Sequence, residues 1–454
     1  MYLSYCESSA KWQPLVLPLT LWPTDTLGMA LDSEYDYNIE SCLVLVVLAL
    51  GCLAVKAHEE GNFALPSRRT PSSTEQVFKQ PDWYELIVDH PPGLKFFNEA
   101  RKRFGFLMCQ NDLQAGQYYM LSTLYYAQVL RPLDSWATVN RAALCCTTLL
   151  SRKIIDYDDE WAGDMFCRLF WNTLMYETVI TQELDLLPHS GLQEYEAEVP
   201  LPKFIPCPRY AGTCETAGSH PRAQNSHVPS SPYTTMASTP DHDDSIFNFH
   251  FLAQAAHRII LTRIKQNLYV FAERENYPSA GITAEMHHQL EQWRNNLPLS
   301  LQFSEDDETS GPGTRPSPSP AHVVAKAMLR SRYLVAKFHI GRPFLYKALH
   351  APAYTTDAEY NQVREGLRGG MYWPTTMGLC AQMLSALPIK FGWCCQCFGQ
   401  VLLFNAVAQS SDPKLRDTLP EGWRDWIAIM MDLIESCARD SPGIAKDVEL
   451  LRLL

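Results

Sequence analysis

The sequence is short of charge. Lysine and arginine number 38 and aspartate and glutamate 50, so 19% of the 454 residues are charged and the net charge is −12. Globular chains average about 25% charged residues. The deficit on the basic side argues against nucleic-acid binding through the overall field of the chain, leaving only a local basic patch. Cysteine is also scarce: the 14 cysteines are far fewer than a disulfide scaffold of this length carries. Nowhere do two C-x-x-C pairs stand at zinc-site spacing. Long apolar runs are missing too. The longest, Cys42 to Val55, has fourteen residues between Glu40 and Lys56, whereas a spanning helix needs about 20. It begins too late for a signal peptide and has no basic stretch before it. A buried helix is the expectation, with no membrane partner, and reduced thiols fit a nuclear or cytosolic protein.

Enzyme signatures are equally absent. There is no G-x-S-x-G, no P-loop, no H-E-x-x-H and no G-x-G-x-x-G opening a helix. No alternating β-branched run and no repeat of fixed period occurs. What the chain does have is apolar content, at 46%, and helical periodicity along most of its length. The predicted class is all-α: a large multi-helix bundle with disordered insertions.

Composition divides the chain. Residues 1–38 read as an irregular N-terminal segment, with prolines at 14, 18 and 23 and an acidic, aromatic stretch from Asp32 to Tyr37 of the kind that can serve as an activation sequence. Residues 39–205 form a first helical half, interrupted by a loop over residues 61–82 rich in proline and serine. Residues 206–244 are rich in Pro, Ser, Thr, His and Gly and read as a disordered linker. Residues 245–302 are a helical segment, 303–320 an acidic then Pro/Ser-rich linker, and 321–454 the second helical half. Spacings of three and four predict helices over Phe96–Leu107, Leu113–Leu130, Trp136–Leu150, a helix opening at Asp158-Asp159-Glu160 and running to Leu184, Ser245–Glu275 and Thr283–Asn296. Later helices are expected at Ala321–Ala348, kinked or interrupted at Gly341-Arg342-Pro343, and at Met377–Leu387, Trp393–Gln409 and Trp423–Ala438. Asp134 or Ser135 is the expected cap of the third of these helices.

Candidate chemistry is thin. Cys394, Cys395 and Cys397 lie together, but Phe391, Trp393 and Phe398 flank them without a nearby histidine. On a helix Cys394 and Cys397 share a face and Cys395 points away, so buried apolar thiols are expected, as for Cys145 and Cys146. Histidines 220, 227, 242 and 250, with Cys207 and Cys214, match no ligand spacing, and His287-His288 read as solvent-facing. Glu183 and Asp185 stand two apart and do not face each other. Arg68-Arg69 and Arg101-Lys102-Arg103 read as solvated faces. No catalytic, cofactor-binding or metal-binding residue is assigned.

Four segments, taken in order, resemble the middle homology region of fungal zinc-cluster transcription factors. They are the apolar stretch Ser41–Ala54; Leu124–Leu150, with its aromatic helix, Arg131-Pro132 turn and Trp136; Arg168–Pro202, with Arg168, the Phe170-Trp171 pair, an acidic helix and a Pro-Xaa-Pro exit; and Arg332–His350, which reads R-x-x-x-x-K-x-x-I-x-R-P-F-L-Y. No single piece is specific, but the ordered set is, and it spans about residues 40 to 440. The resemblance implies a regulatory helical domain in which these residues are structural. Arg168 and Glu177 are expected to pair, Trp171 to fill the core, and Arg131-Pro132 and Arg342-Pro343 to end or bend helices.

One feature of that family is not found. Its members carry a six-cysteine, two-zinc DNA-binding module before the homology region, whereas the first 40 residues here hold one cysteine, Cys6, and one basic residue, Lys11. Autonomous sequence-specific DNA binding is not expected. A truncated gene model, a regulator acting through a partner and a domain turned to another task each account for the departure. The expected function is transcription-regulator-like control of a fungal secondary-metabolic gene set through a DNA-bound transcription factor or the transcription machinery, in the nucleus or also the cytoplasm. The alternatives are a helical protein binding a small-molecule effector, through aromatics such as Tyr125, Tyr126, Trp171, Tyr176, Phe344 and Tyr346, and a recruited pathway enzyme acting on a biosynthetic intermediate by positioning alone.

Overall fold

The computed structural model describes residues 26–61, 88, 90–184, 187–205, 242–269, 277–305, 320–376 and 390–454, and every regular element among them is helical. The first, α1 (Leu27–Asp32), already corrects the expectation of an irregular stretch up to residue 38. The acidic, aromatic residues that follow form a packed turn in which Glu34 and Tyr35 take φ of 52° and 58°. The Tyr35 carbonyl accepts from Arg103 Nε at 2.7 Å. Next, α2 (Ile39–Gly61) starts where the Asn38 side chain accepts from the Ser41 amide at 2.8 Å. Its apolar residues lie on all sides, as in a helix enclosed by others, and Cys42 to Val46 are all buried. The run is longer than the sequence suggested. Ile39–Lys56, like Phe391–Ala408, is long and apolar enough to cross a membrane by length and composition alone, yet 72% of the first window is buried within the fold.

Three helices build on this one. In α3 (Leu94–Phe104) Phe97, Ala100 and Phe104 share the buried face, and Phe97 and Phe104 stack on Tyr125 and Tyr118. The Asp112 carboxylate caps α4 (Leu113–Gln128) through the Ala115 amide. The next helix, α5 (Pro132–Ser151), begins earlier than the sequence suggested and without a side-chain cap. Pro132 stands in its first turn, where a missing N–H costs nothing, while Asp134 pairs with Arg131 and Ser135 donates to the Thr123 carbonyl. Bonds from Thr123 to Thr138, Arg141 to Tyr119 and Cys145 to Asn111 descend one helix as they climb the other, so α4 and α5 run antiparallel. Asp159 caps α6 (Glu160–Glu183) by accepting from the Trp161 and Ala162 amides, and Gly191, at φ 82°, makes the turn that follows.

The second half opens with α7 (His242–Ile264), which begins inside the expected linker and widens into a π-helical turn over Lys265–Tyr269. Then come α8 (Ala280–Asn295) and α9 (Pro320–His350). Pro343 lies inside α9 and does not interrupt it. Proline removes the amide that would bond the carbonyl four residues earlier. That carbonyl belongs to His339, and the Tyr269 hydroxyl approaches it at 3.3 Å. Packed along α9 is α10 (Asp357–Thr376), a helix the sequence reading did not anticipate. The chain closes with α11 (Lys390–Ala408), the short α12 (Pro413–Arg416), α13 (Trp423–Ala438) and α14 (Pro442–Leu451). The helix expected at Met377–Leu387 and most of the three expected linker regions lie outside the described residues.

Two hydrophobic cores result. One joins α1 to α6, and the other joins α8 to α14. Helix α7 belongs to both. It sends Phe251 and Ala255 into the first core and Ile246, Ala253, Ile260 and Ile264 into the second.

Candidate functional site

Two places in this fold bury several charged or strongly polar side chains against one another. One lies where α6 meets the segment after it. Asp164 and Arg168, one turn apart, are 5% and 4% exposed, and Arg168 binds the Asp164 carboxylate through Nε at 2.9 Å and Nη2 at 2.6 Å. The same carboxylate accepts from the amides of Lys203, Phe204 and Ile205 at 2.5, 3.1 and 3.0 Å. Arg168 also donates to the Ile205 carbonyl, and its guanidinium stands over the Phe204 ring. Trp171, one turn on, donates to the Pro200 carbonyl at 2.9 Å. Burial lowers the Arg168 pKa, and the adjoining Asp164 charge acts against that shift. The expected Arg168–Glu177 pair does not form. Glu177 instead accepts from the amide and hydroxyl of Ser190, fixing the turn after α6. Asp164 stands one turn from Arg168 on the same helix face, whereas Glu177, nine residues on, lies on the opposite face.

The second place is the seam between the two cores, where α6, α7 and α9 meet. Here α7 turns a polar stripe inward: His250, Gln254 and His257 are all buried. From α9 comes Arg332, which is half-buried although those side chains beside it are not. Its Nη2 donates to Gln254 Oε1 at 2.7 Å, and the Gln254 amide donates in turn to His250 Nδ1 at 2.9 Å. His257 Nε2 donates to the Arg332 carbonyl at 2.9 Å, which leaves Nδ1 as an acceptor, buried and without a hydrogen-bond partner. Tyr176 of α6 lies within the field of Arg332, whose charge favours the phenolate while burial acts more strongly to push the pKa up. One helical turn pair along α9, His339 meets the Tyr269 hydroxyl at 2.8 Å.

Burial sets the electrostatics of the seam. It is the largest cause holding His250, His257 and His339 at a pKa of about 3, with the charges of Arg332 and Arg342 adding to it, so all three are neutral. Burial also lowers the Arg332 pKa, and the only opposing influence on it is Tyr176. No carboxylate among the described residues pairs with Arg332. A half-buried cation that burial already disfavours, with no counter-charge beside it among the described residues, is an arrangement that an anion would complete.

The other residues singled out from the sequence are dispersed. Cys394 and Cys397 are buried and Cys395 half-buried, as their helix faces required. A hydrogen bond with the Cys437 thiol of α13, and after it burial, drives the Cys394 pKa up. Among the described residues no three His, Cys, Asp or Glu side chains converge as a metal site. His250 belongs to the seam rather than to a loop cluster, and His287 bonds Gln362 at 2.8 Å rather than facing solvent, while His288 is exposed. Arg101 and Lys102 face solvent, but Arg103 is tied to Glu99 and Tyr35. The six aromatics expected to line one pocket are not brought together. Tyr125 stacks on Phe97 and Tyr346 stacks on His350 at the surface, so Tyr176 alone of the six is placed at the seam. Sequence reading missed Gln254, His257 and Arg332 as a group. Their only sequence signal is the polar spacing of 250, 254 and 257 on one face of an otherwise apolar helix.

No family model matches the chain, and neither a curated protein nor a solved structure is significantly similar to it.

Proposed function

We propose that this protein is a transcription-regulator-like helical body of the kind found in fungal zinc-cluster factors, acting on a metabolic gene set through contacts with a DNA-bound partner. The observation that supports this reading is the clamp on α6. Arg168, Trp171 and the Pro-Xaa-Pro exit were matched to that family as separate marks along about 35 residues. Two of the marks are joined by the Trp171–Pro200 bond, and Arg168 and its Asp164 partner hold the residues that follow directly. Residues that serve one structural unit are the ones an ordered resemblance would retain. The net charge of −12 favours protein contact over direct contact with DNA. An exposed aromatic edge, where Phe106 is 78% exposed and packs edge-on against Tyr37 with Arg103 beneath, is a surface suited to such contact.

The test is deletion of the gene followed by transcript profiling. Coordinated loss or gain of a block of metabolic transcripts is the expected result. Unchanged transcripts, with a pathway intermediate accumulating, would overturn the reading in favour of an enzyme.

A further inference from the structure

We infer that Arg332 anchors a binding site, at the seam of α6, α7 and α9, for a small monocarboxylate with an apolar body. The inference goes beyond the partner-contact reading and does not depend on it. It begins from the cost of the arrangement. A half-buried guanidinium between two hydrophobic cores, held among the described residues by one neutral amide and no carboxylate, adds less to stability than a paired one would. Of its five N–H donors one, on Nη2, is used among the described residues. Gln254 is fixed from both ends, by Arg332 and by His250, so the guanidinium is held in orientation rather than left to search.

The surroundings select the ligand. Tyr176 makes no side-chain hydrogen bond among the described residues, so its hydroxyl is available as a second donor. His257 Nδ1 is the opposite case, a buried acceptor with nothing to accept. Its tautomer is fixed by the bond from Nε2 to the Arg332 carbonyl, so a ligand hydroxyl or amide N–H would satisfy it. One cation matches one negative charge, and the planar fork of arginine matches the two oxygens of a carboxylate. A phosphate dianion would leave a surplus charge, since among the described residues no cation besides Arg332 acts on Tyr176 and none adds to the lowering of the Arg332 pKa. The surroundings are apolar: the Trp293 ring lies 5.0 Å from the His257 ring, and a hydrophobic core stands on either side.

The test uses the purified full chain and benzoate as the probe, with benzamide as its neutral analogue, at constant ionic strength. Benzoate should raise the unfolding midpoint saturably, and calorimetric titration should show one site. Benzamide should do neither. Arg332→Gln should fold with an unfolding midpoint equal to or above that of the parent and bind benzoate at least about tenfold more weakly, the worth of one charge-assisted pair. Tyr176→Phe should keep the midpoint and weaken binding severalfold. The proposal is overturned by a parent chain that ignores benzoate, by an equal response to benzamide, by benzoate binding that survives in Arg332→Gln, or by an Arg332→Gln chain that unfolds. Loss of promoter control with this binding intact would count against the regulatory reading alone.

Discussion

Replacing Asp164 by asparagine keeps the size of the side chain and removes the charge that Arg168 neutralises. Only one of the two oxygens survives as an acceptor, so an amide NH2 would face either the Lys203 and Phe204 amides or the Ile205 amide and Arg168, weakening the hold on the segment in which Phe204 takes the unusual φ of 58°. Breaking one partner of a buried pair costs about 3–5 kcal/mol. Urea denaturation should therefore show Asp164→Asn losing that much, and a loss below about 1 kcal/mol would mean that the clamp does not hold the exit segment. The three neutral histidines give a second prediction at this scale. In the unfolded chain each takes up a proton near its ordinary pKa of 6.5, whereas in the fold His250, His257 and His339 do so only at about 3. Stability is thus complete above pH 6.5 and falls as the pH drops, by up to about 1.4 kcal/mol per unit for each histidine. The urea midpoint should fall between pH 7 and pH 5, above the range in which the carboxylates Glu305 and Glu359, both shifted down, exchange protons. A flat profile over that interval would contradict the burial of neutral rings.

At the scale of elements, the close pairing of α9 and α10 rests on small residues. A Cβ added at Gly341 would stand 2.7 Å from the Gln362 carbonyl oxygen and 2.8 Å from the Gly366 Cα, both backbone atoms that cannot swing aside. Gly341→Ala should therefore destabilise by about 1–3 kcal/mol from overpacking, more than the roughly 1 kcal/mol that alanine adds within a helix. Gly399→Ala in α11, where nothing lies within 4 Å, should be neutral or stabilising. Thermal unfolding of the pair checks the contrast. The same chemistry explains what the sequence reading saw and missed. Helices with a clear apolar stripe and strong ends were legible: α4, α6 and α13 lie within about two residues of their predicted bounds. Helix α10 was not, because Gly366, Gly369 and Gly370 weaken a helical pattern in sequence, whereas in the fold Gly366 and Gly369 lie against the α9 backbone and Gly370 against the Phe338 ring. Pro343 does not interrupt α9, one of the two outcomes expected there, and the Tyr269 hydroxyl approaches the His339 carbonyl that the proline leaves without its amide.

At the scale of the whole molecule, α7 is the element that ties the two cores together. It contributes to both cores and carries the polar stripe that faces Arg332. The seam was illegible beforehand because its members come from positions 176, 250, 254, 257 and 332, and only tertiary packing gathers them. A ligand held there would touch α6 of one core and α9 of the other, so its binding would bear on how the two cores are held together, which is what an effector of a regulatory body must do. That regulatory reading is the central claim, and chromatin immunoprecipitation of the tagged full chain tests it most directly. The account predicts enrichment at a defined set of metabolic promoters, with the purified chain alone failing to shift those same fragments in a gel. A chain enriched at no promoter would contradict it.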